Sequence, residues 1–106
     1  MKKGDIILVP FPFTDLTGSK LRPALVLVAN NIDVTIAFIT TQIHWQEPTD
    51  IPLFSNVLNG LKQNSLIRLS KLATIDNKLV LGVIGEINTV EIQLINQNLI
   101  LIFDIK

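Results

Sequence analysis

Arg22 is followed at once by Pro23, and the pair opens an apolar run after the polar loop Thr14-Asp15-Leu16-Thr17-Gly18-Ser19-Lys20. Proline fixes its own φ and pushes the preceding residue toward extended backbone, so the Arg22 guanidinium is presented from a stiff base. A cation at the mouth of a loop-bounded strand is a ready anion-binding device. On pattern alone it is equally a surface cation at a strand start. The remaining inventory narrows the chemistry. The only histidine is His44, beside Trp45, and there is no cysteine, which argues against a zinc site. The carboxylates Asp5, Asp15, Glu47, Asp50, Asp76, Glu86, Glu91 and Asp104 are scattered singly, without the spacing of a metal-binding pair. No Gly-rich phosphate loop, Gly-x-Ser-x-Gly elbow or paired-histidine motif is present.

A chain of 106 residues has room for one domain with one modest core, residues 1–106. Hydrophobic content is 48%, charged content 17% and mean hydropathy +0.47. So little polar surface predicts that a further apolar face is covered in an oligomer. The lack of cysteine suits a reducing cytoplasm. Gly4-Asp5 and Pro10 break the first apolar run too early for a signal peptide, and the runs Ala24–Ala29 and Leu99–Phe103 are too short to span a bilayer. Formal net charge is zero, so a nucleic-acid partner must be held by a local cationic patch.

The elements that must position these residues follow from the punctuation. Asp5 to Val9 is β-rich, and Pro10-Phe11-Pro12-Phe13 does not continue as an ordinary central strand. Ala24 to Ala29 reads as a strand buried on both faces, with Val34 to Thr40 its partner across the Asn30-Asn31 turn. The stretch from Thr41 to Asn64 is irregular, with a short strand near Ile51 to Phe54. Ser65 to Leu72 and Leu79 to Glu86 are two further strands, separated by a turn at Thr74-Ile75-Asp76-Asn77-Lys78. Asn88 three residues before Glu91 has the form of a capping box. Ile92, Ile95, Leu99 and Ile102 then recur at helical spacing, which predicts one helix from near Thr89 to about Asp104. Five or six short strands with one terminal helix fit a mainly β, barrel-like sheet.

The ordered set of motifs resembles the PemK/MazF family of type II toxin–antitoxin toxins. Gly4-Asp5-Ile6 with Phe11-Pro12, then Gly18-Ser19, then Arg22-Pro23-Ala24-Leu25-Val26 is similar to the family's opening. Ile39-Thr40-Thr41-Gln42-Ile43 resembles its central strand end. Asn64-Ser65, Leu72-Ala73-Thr74-Ile75-Asp76 and Gly85 complete the likeness. The resemblance implies an SH3-like barrel, a homodimer, a cognate antitoxin with which DNA is bound, and a cytoplasmic mRNA interferase. Such an enzyme cuts single-stranded RNA without a metal or other cofactor, using the ribose 2′-hydroxyl as nucleophile. It also places the family's functional arginine on Arg22 and its functional threonine on Thr40.

A forked guanidinium suits the charge of a pentacovalent phosphorane, and a hydroxyl at Thr40 can donate to a phosphoryl oxygen or orient the attacking 2′-hydroxyl. Arginine stays protonated, so Arg22 is assigned to charge stabilisation and not to the base. Ser19, Lys20, Gln42 and Trp45 are the RNA-binding candidates. Each has a plainer alternative: Thr40 as a β-branched strand residue, Gln42 as a solvated loop amide, Trp45 as cover for the core or a dimer surface. Asp5 and Asp76 read as turn-bracing carboxylates. The chain departs from the family at Lys20-Leu21, Ala73 and Leu79-Val80, where relatives carry Glu-Gln, arginine and Arg-Leu. Two cations of the family pattern are thus absent, for which Lys20, Arg68, Lys71 and Lys78 could compensate. Two other readings belong to different classes: a gyrase-binding toxin of the CcdB type, and a catalytically weakened, antitoxin-binding relative.

Overall fold

A computed structural model describes residues 1–11 and 20–106. Its strands are β1 (Asp5–Phe11), β2 (Lys20–Ala29), β3 (Asp33–Thr40), β4 (Ile51–Leu53), β5 (Ser65–Asp76) and β6 (Gly82–Glu86). Single 3₁₀ turns lie at Ile43–Trp45 and Asn77–Leu79, and the helix α1 spans Thr89–Ile102. The strands form one antiparallel six-stranded sheet, ordered β4-β5-β3-β2-β1-β6 and curled into half a barrel. The mainly β class with one closing helix is therefore the observed architecture.

Both faces of this sheet are buried. Ile6, Leu25, Ala37, Ile39, Ile67 and Leu69 pack beneath α1, which contributes Ile92, Ile95, Leu99 and Ile102. Ile7, Val9, Ala24, Val26, Val34 and Ile36 form a second cluster, against which Phe38, Leu79 and Val80 pack. Alternate residues of β2 from Ala24 to Leu27 thus enter opposite clusters, as a strand buried on both faces requires. The expectation fails at Val28, which is 59% exposed where the pairing with β3 shifts register.

The helix is fixed at both ends. Asn88 Oδ1 accepts the Glu91 N–H at 2.8 Å and Glu91 Oε1 accepts the Asn88 N–H at 2.9 Å, a complete capping box. At the other end Asp104 takes a left-handed φ of 51°. There the Ile105 N–H bonds the Ile100 carbonyl and the Asp104 N–H bonds the Leu101 carbonyl, a Schellman closure.

Strand boundaries differ from the sequence expectation at several points. The last strand, expected from Leu79, begins only at Gly82, because Asn77–Leu79 form a 3₁₀ turn. β1 continues through Pro10 to Phe11, because its pairing with β6 ends at Leu8 and Pro10 has a neighbouring strand on one flank only. β5 continues to Asp76, so Thr74 and Ile75 are strand and not turn. Asp33 to Ala37 pair with Asp76 to Leu72, the Thr35 and Thr74 hydroxyls meet at 2.7 Å, and Ile75 is buried. The turn that follows is braced by Asp76, which accepts the Lys78 N–H at 2.8 Å.

The loop before β5 crosses β6 so closely that no side chain fits. A Cβ on Gly60 (φ +68°) would stand 2.1 Å from the Ile84 carbonyl oxygen, and one on Gly85 2.3 Å from the Asn59 carbonyl carbon. At the N-terminus the Asp5 carboxylate accepts both the Lys2 N–H and its ammonium at 2.9 Å. Burial alone pushes the Asp5 carboxyl up, but these two bonds and the ammonium charge outweigh it and hold its pKa below the ordinary value.

Candidate active site

Ala24 on β2 pairs with Phe38 on β3, and there the ladder between these strands stops. Pro23, the next residue, has no N–H to carry it on. The same register continued for two residues sets Arg22 opposite Thr40. Opposed residues of an antiparallel pair project on one face, and residues two apart share it. Arg22 and Thr40 therefore extend the face of Ala24 and Phe38 beyond its apolar end, where the two strands part.

The gap is a cleft of about 490 Å³. Its floor is apolar, from Val9, Phe11, Pro23, Ala24, Phe38 and Ile39, with the Phe11 and Phe38 rings edge to face at 5.7 Å. Arg22 lines one wall; Thr40, Thr41 and Gln42 line the end of β3; Arg68 and Lys71 line the wall supplied by β5. Among the described residues, none of those lining the cleft is acidic.

The β5 wall exists because of a register shift. Ala37 pairs with Leu72, but Phe38 pairs with Arg68, so Leu69, Ser70 and Lys71 are accommodated opposite a single step of β3. This bulge re-aims the strand and delivers Arg68 and Lys71 to the same cleft.

The cations differ in their partners. The side chains of Arg22 and Lys71 have no hydrogen bond or ion pair to any described residue. Arg68, its side chain 14% exposed, is held at 3.1 Å from Asp50 Oδ2 and 3.3 Å from Glu47 Oε1, and its Nη2 donates to the Trp45 carbonyl at 3.1 Å. The Asp50 side chain is fully buried, and its Oδ2 also accepts the Glu47 N–H at 2.8 Å. Ser70 donates to the second Glu47 oxygen at 3.2 Å. The charge of Arg68 is thus met internally by two carboxylates, while the Arg22 and Lys71 side chains have no counter-charge among the described residues.

Thr40 is oriented from behind. Its Oγ1 accepts the Gln42 N–H at 3.1 Å, so the hydroxyl proton remains available for donation. Of the other candidates, Gln42 lines the cleft, whereas Trp45 lies just outside it, 72% exposed in the Ile43–Trp45 turn. Lys20 is exposed at the start of β2, paired with Phe11. Ser19 lies outside the described residues, as does most of the Phe13 to Lys20 loop. His44 is exposed beside Trp45, and no three His, Cys, Asp or Glu side chains converge among the described residues. Lys78 braces the distant turn after β5 and does not reach the cleft. The sequence signalled Arg68 and Lys71 only as spare cations, and Glu47 and Asp50 only as isolated acids, because the bulge that gathers them has no local motif.

Comparison with known proteins follows from this geometry. The family model describing PemK-like, MazF-like toxins of type II toxin–antitoxin systems matches residues 2–103. Among solved structures, the fold is similar to the Mycobacterium tuberculosis toxin MazF-mt6, with a TM-score of 0.78 at 23% identity, covering 96% of this chain and 98% of that one. It is also similar to an endoribonuclease in complex with its cognate antitoxin from a mycobacterial species, with a TM-score of 0.75 at 17% identity, covering 100% and 95%. Comparison with curated proteins gave no significant match. With a family match running from the second residue to the end of the closing helix, this chain belongs to the PemK-like, MazF-like toxins of type II toxin–antitoxin systems.

Proposed function

We propose that this chain, acting as one toxin domain over residues 1–106, is an endoribonuclease that cleaves single-stranded mRNA in the cytoplasm without a metal. The observation that carries the reading is that Arg22, whose guanidinium has no partner among the described residues, and the pre-oriented hydroxyl of Thr40 line one cleft, with no carboxylate among its described lining residues. The toxin family and the endoribonucleases of similar fold support it over gyrase binding.

In this mechanism the RNA backbone lies in the cleft with its scissile phosphate between Arg22 and Thr40. The 2′-oxygen attacks phosphorus and loses its proton, and the bond from phosphorus to the 5′-oxygen breaks. A 2′,3′-cyclic phosphate and a protonated 5′-hydroxyl result. Arg22 donates to the phosphoryl oxygens as their charge grows, and Thr40 donates a further hydrogen bond. Lys71 attracts a neighbouring phosphate from the opposite wall, and Lys20, Ser19 and Gln42 serve binding. The proton acceptor is not among the cleft's described lining residues.

A two-fold homodimer is part of the proposal. It is supported by the exposed apolar side chains on and beyond α1, including Val90, Leu101, Phe103 and Ile105, which an isolated subunit leaves in water. A cognate antitoxin segment of partly acidic character would restrain the enzyme by occupying the cationic cleft, and the bound pair would engage DNA. The test is incubation of purified protein with defined single-stranded RNA in EDTA. Fragments with cyclic-phosphate and 5′-hydroxyl ends are expected; intact RNA, or cleavage only after metal is added, would overturn the reading.

A further inference from the structure

Trp45 is the chain's only tryptophan, and it stands 72% exposed at the rim of a cationic cleft. An exposed indole is commonly mobile, but the backbone beneath this one is pinned from two sides. Its N–H donates to the Gln42 carbonyl at 3.3 Å, and its carbonyl accepts from Arg68 Nη2 at 3.1 Å. Both pinning residues line the cleft. Gln42 is tied in turn to the Thr40 hydroxyl oxygen, and Arg68 to the buried Asp50. A continuous set of hydrogen bonds therefore runs from the hydroxyl at the reacting end of the cleft, through the Trp45 backbone, to a buried ion pair. On the far side, Asn98 of α1 donates to the Thr49 carbonyl at 3.2 Å and fastens the same segment to the helix.

We infer that Trp45 is a stacking platform for one nucleobase of the bound RNA, and that Arg68 is the residue that positions it. The inference rests on the ribonuclease reading and adds a base subsite to it. When a phosphate is held by Arg22, the unpaired bases of a single strand need π-faces on which to stack; the Phe11 and Phe38 rings are engaged with each other edge to face, whereas the Trp45 indole is 72% exposed. Stacking on an aromatic ring tolerates any base, so this subsite contributes affinity and register more than sequence choice. Arg68 is unsuited to phosphate because its fork is already occupied by Asp50, Glu47 and the Trp45 carbonyl. Its charge supports the platform and not the substrate.

The test uses an oligoribonucleotide of mixed sequence carrying 2′-O-methyl on every ribose, which binds but has no nucleophile. Binding is read in two ways, by the anisotropy of a dye on the oligonucleotide and by the intrinsic fluorescence of Trp45. Saturable quenching with the dissociation constant given by anisotropy is expected. Trp45→Ala should weaken binding roughly 5- to 150-fold, the range for loss of one stacked base. With unmodified RNA it should raise KM while leaving kcat within about threefold. Arg68→Met is made together with Asp50→Asn, so that no buried charge is stranded. This pair should weaken binding comparably, and adding Trp45→Ala should cost little more, because positioning and platform act as one unit. Two results overturn the inference while leaving the ribonuclease intact. One is tight oligonucleotide binding without quenching and without loss in Trp45→Ala, with quenching instead by self-association or by an antitoxin peptide. The other is additivity of the Arg68 and Trp45 effects, which would make Arg68 a separate phosphate contact. A protein that neither binds the oligonucleotide nor cuts RNA overturns both readings.

Discussion

The two walls of the cleft carry arginines of opposite character. Arg22 stands on β2 beyond the end of its ladder with β3, lining the same cleft as Thr40, its side chain without a partner among the described residues. Arg68 stands at the edge of a bulge, its side chain 14% exposed and held by Asp50, Glu47 and the Trp45 carbonyl. One guanidinium has no partner among the described residues, and the other is engaged inside the molecule. Position in the cleft is therefore not enough to assign a role; the state of each cation's own hydrogen bonds decides it.

This contrast can be broken most forcefully at Arg68. Arg68→Met leaves the Asp50 carboxylate buried without its cation, and removal of one member of such a pair typically costs about 3–5 kcal/mol. Urea denaturation should show a loss of that order, largely restored by Asp50→Asn in the same chain. A loss below about 1 kcal/mol would mean that the pair is not structural. Arg22→Ala should do the reverse. Its turnover should fall ~10²–10³-fold, as for loss of one preorganised donor to a developing charge. Arg22→Lys should recover little, since an ammonium lacks the bidentate fork. The unfolding midpoint should move little in either variant.

Thr40→Val sharpens the same wall on a smaller scale. It keeps the β-branched shape and removes the hydroxyl. A hydrogen bond to a charged oxygen is worth about 1.5–3 kcal/mol, so cleavage should fall on the order of 10- to 100-fold with the fold intact. Cleavage at the parental rate would return Thr40 to plain strand-filling. The smallest effect is far from the cleft. Asp5 has a lowered pKa, so its stabilising contribution is present above the unfolded carboxylate value near 3.8 and is lost as pH falls through the lower folded value. The stability gap between the parent and Asp5→Asn should narrow in acid below about pH 4, and a gap unchanged there would deny the link.

The same division explains what could be read in the sequence. The Arg22-Pro23 step, the Asn88–Glu91 box and the Ile92, Ile95, Leu99, Ile102 period are short-range patterns, and their physics is local. Each has its structural counterpart: the parting strands, the two-armed cap and the helix face in the core. The β5 wall is different. Thr74-Ile75-Asp76-Asn77 has turn chemistry, yet pairing with β3 and burial of Ile75 hold its first three residues in the strand. The shift between Leu72 and Arg68 is likewise set by the neighbouring strand and not by the residues within it. Asp50 and Glu47 lie on the far side of a turn from Arg68, 18 and 21 positions away, and no local spacing announces their meeting. Roles that depend on tertiary pairing were hidden for that reason.

On the proposed function, Arg22, which has no side-chain partner among the described residues, acts on substrate, while the ion-paired Arg68 holds the site. Single-turnover cleavage of a defined single-stranded RNA in EDTA, run on the parent and Arg22→Ala at matched folded fraction, tests it most directly. The predicted result is cyclic-phosphate product from the parent and a rate at least about a hundredfold lower from Arg22→Ala, with coincident denaturation curves. Equal rates, or a lower rate fully explained by unfolding, would contradict it.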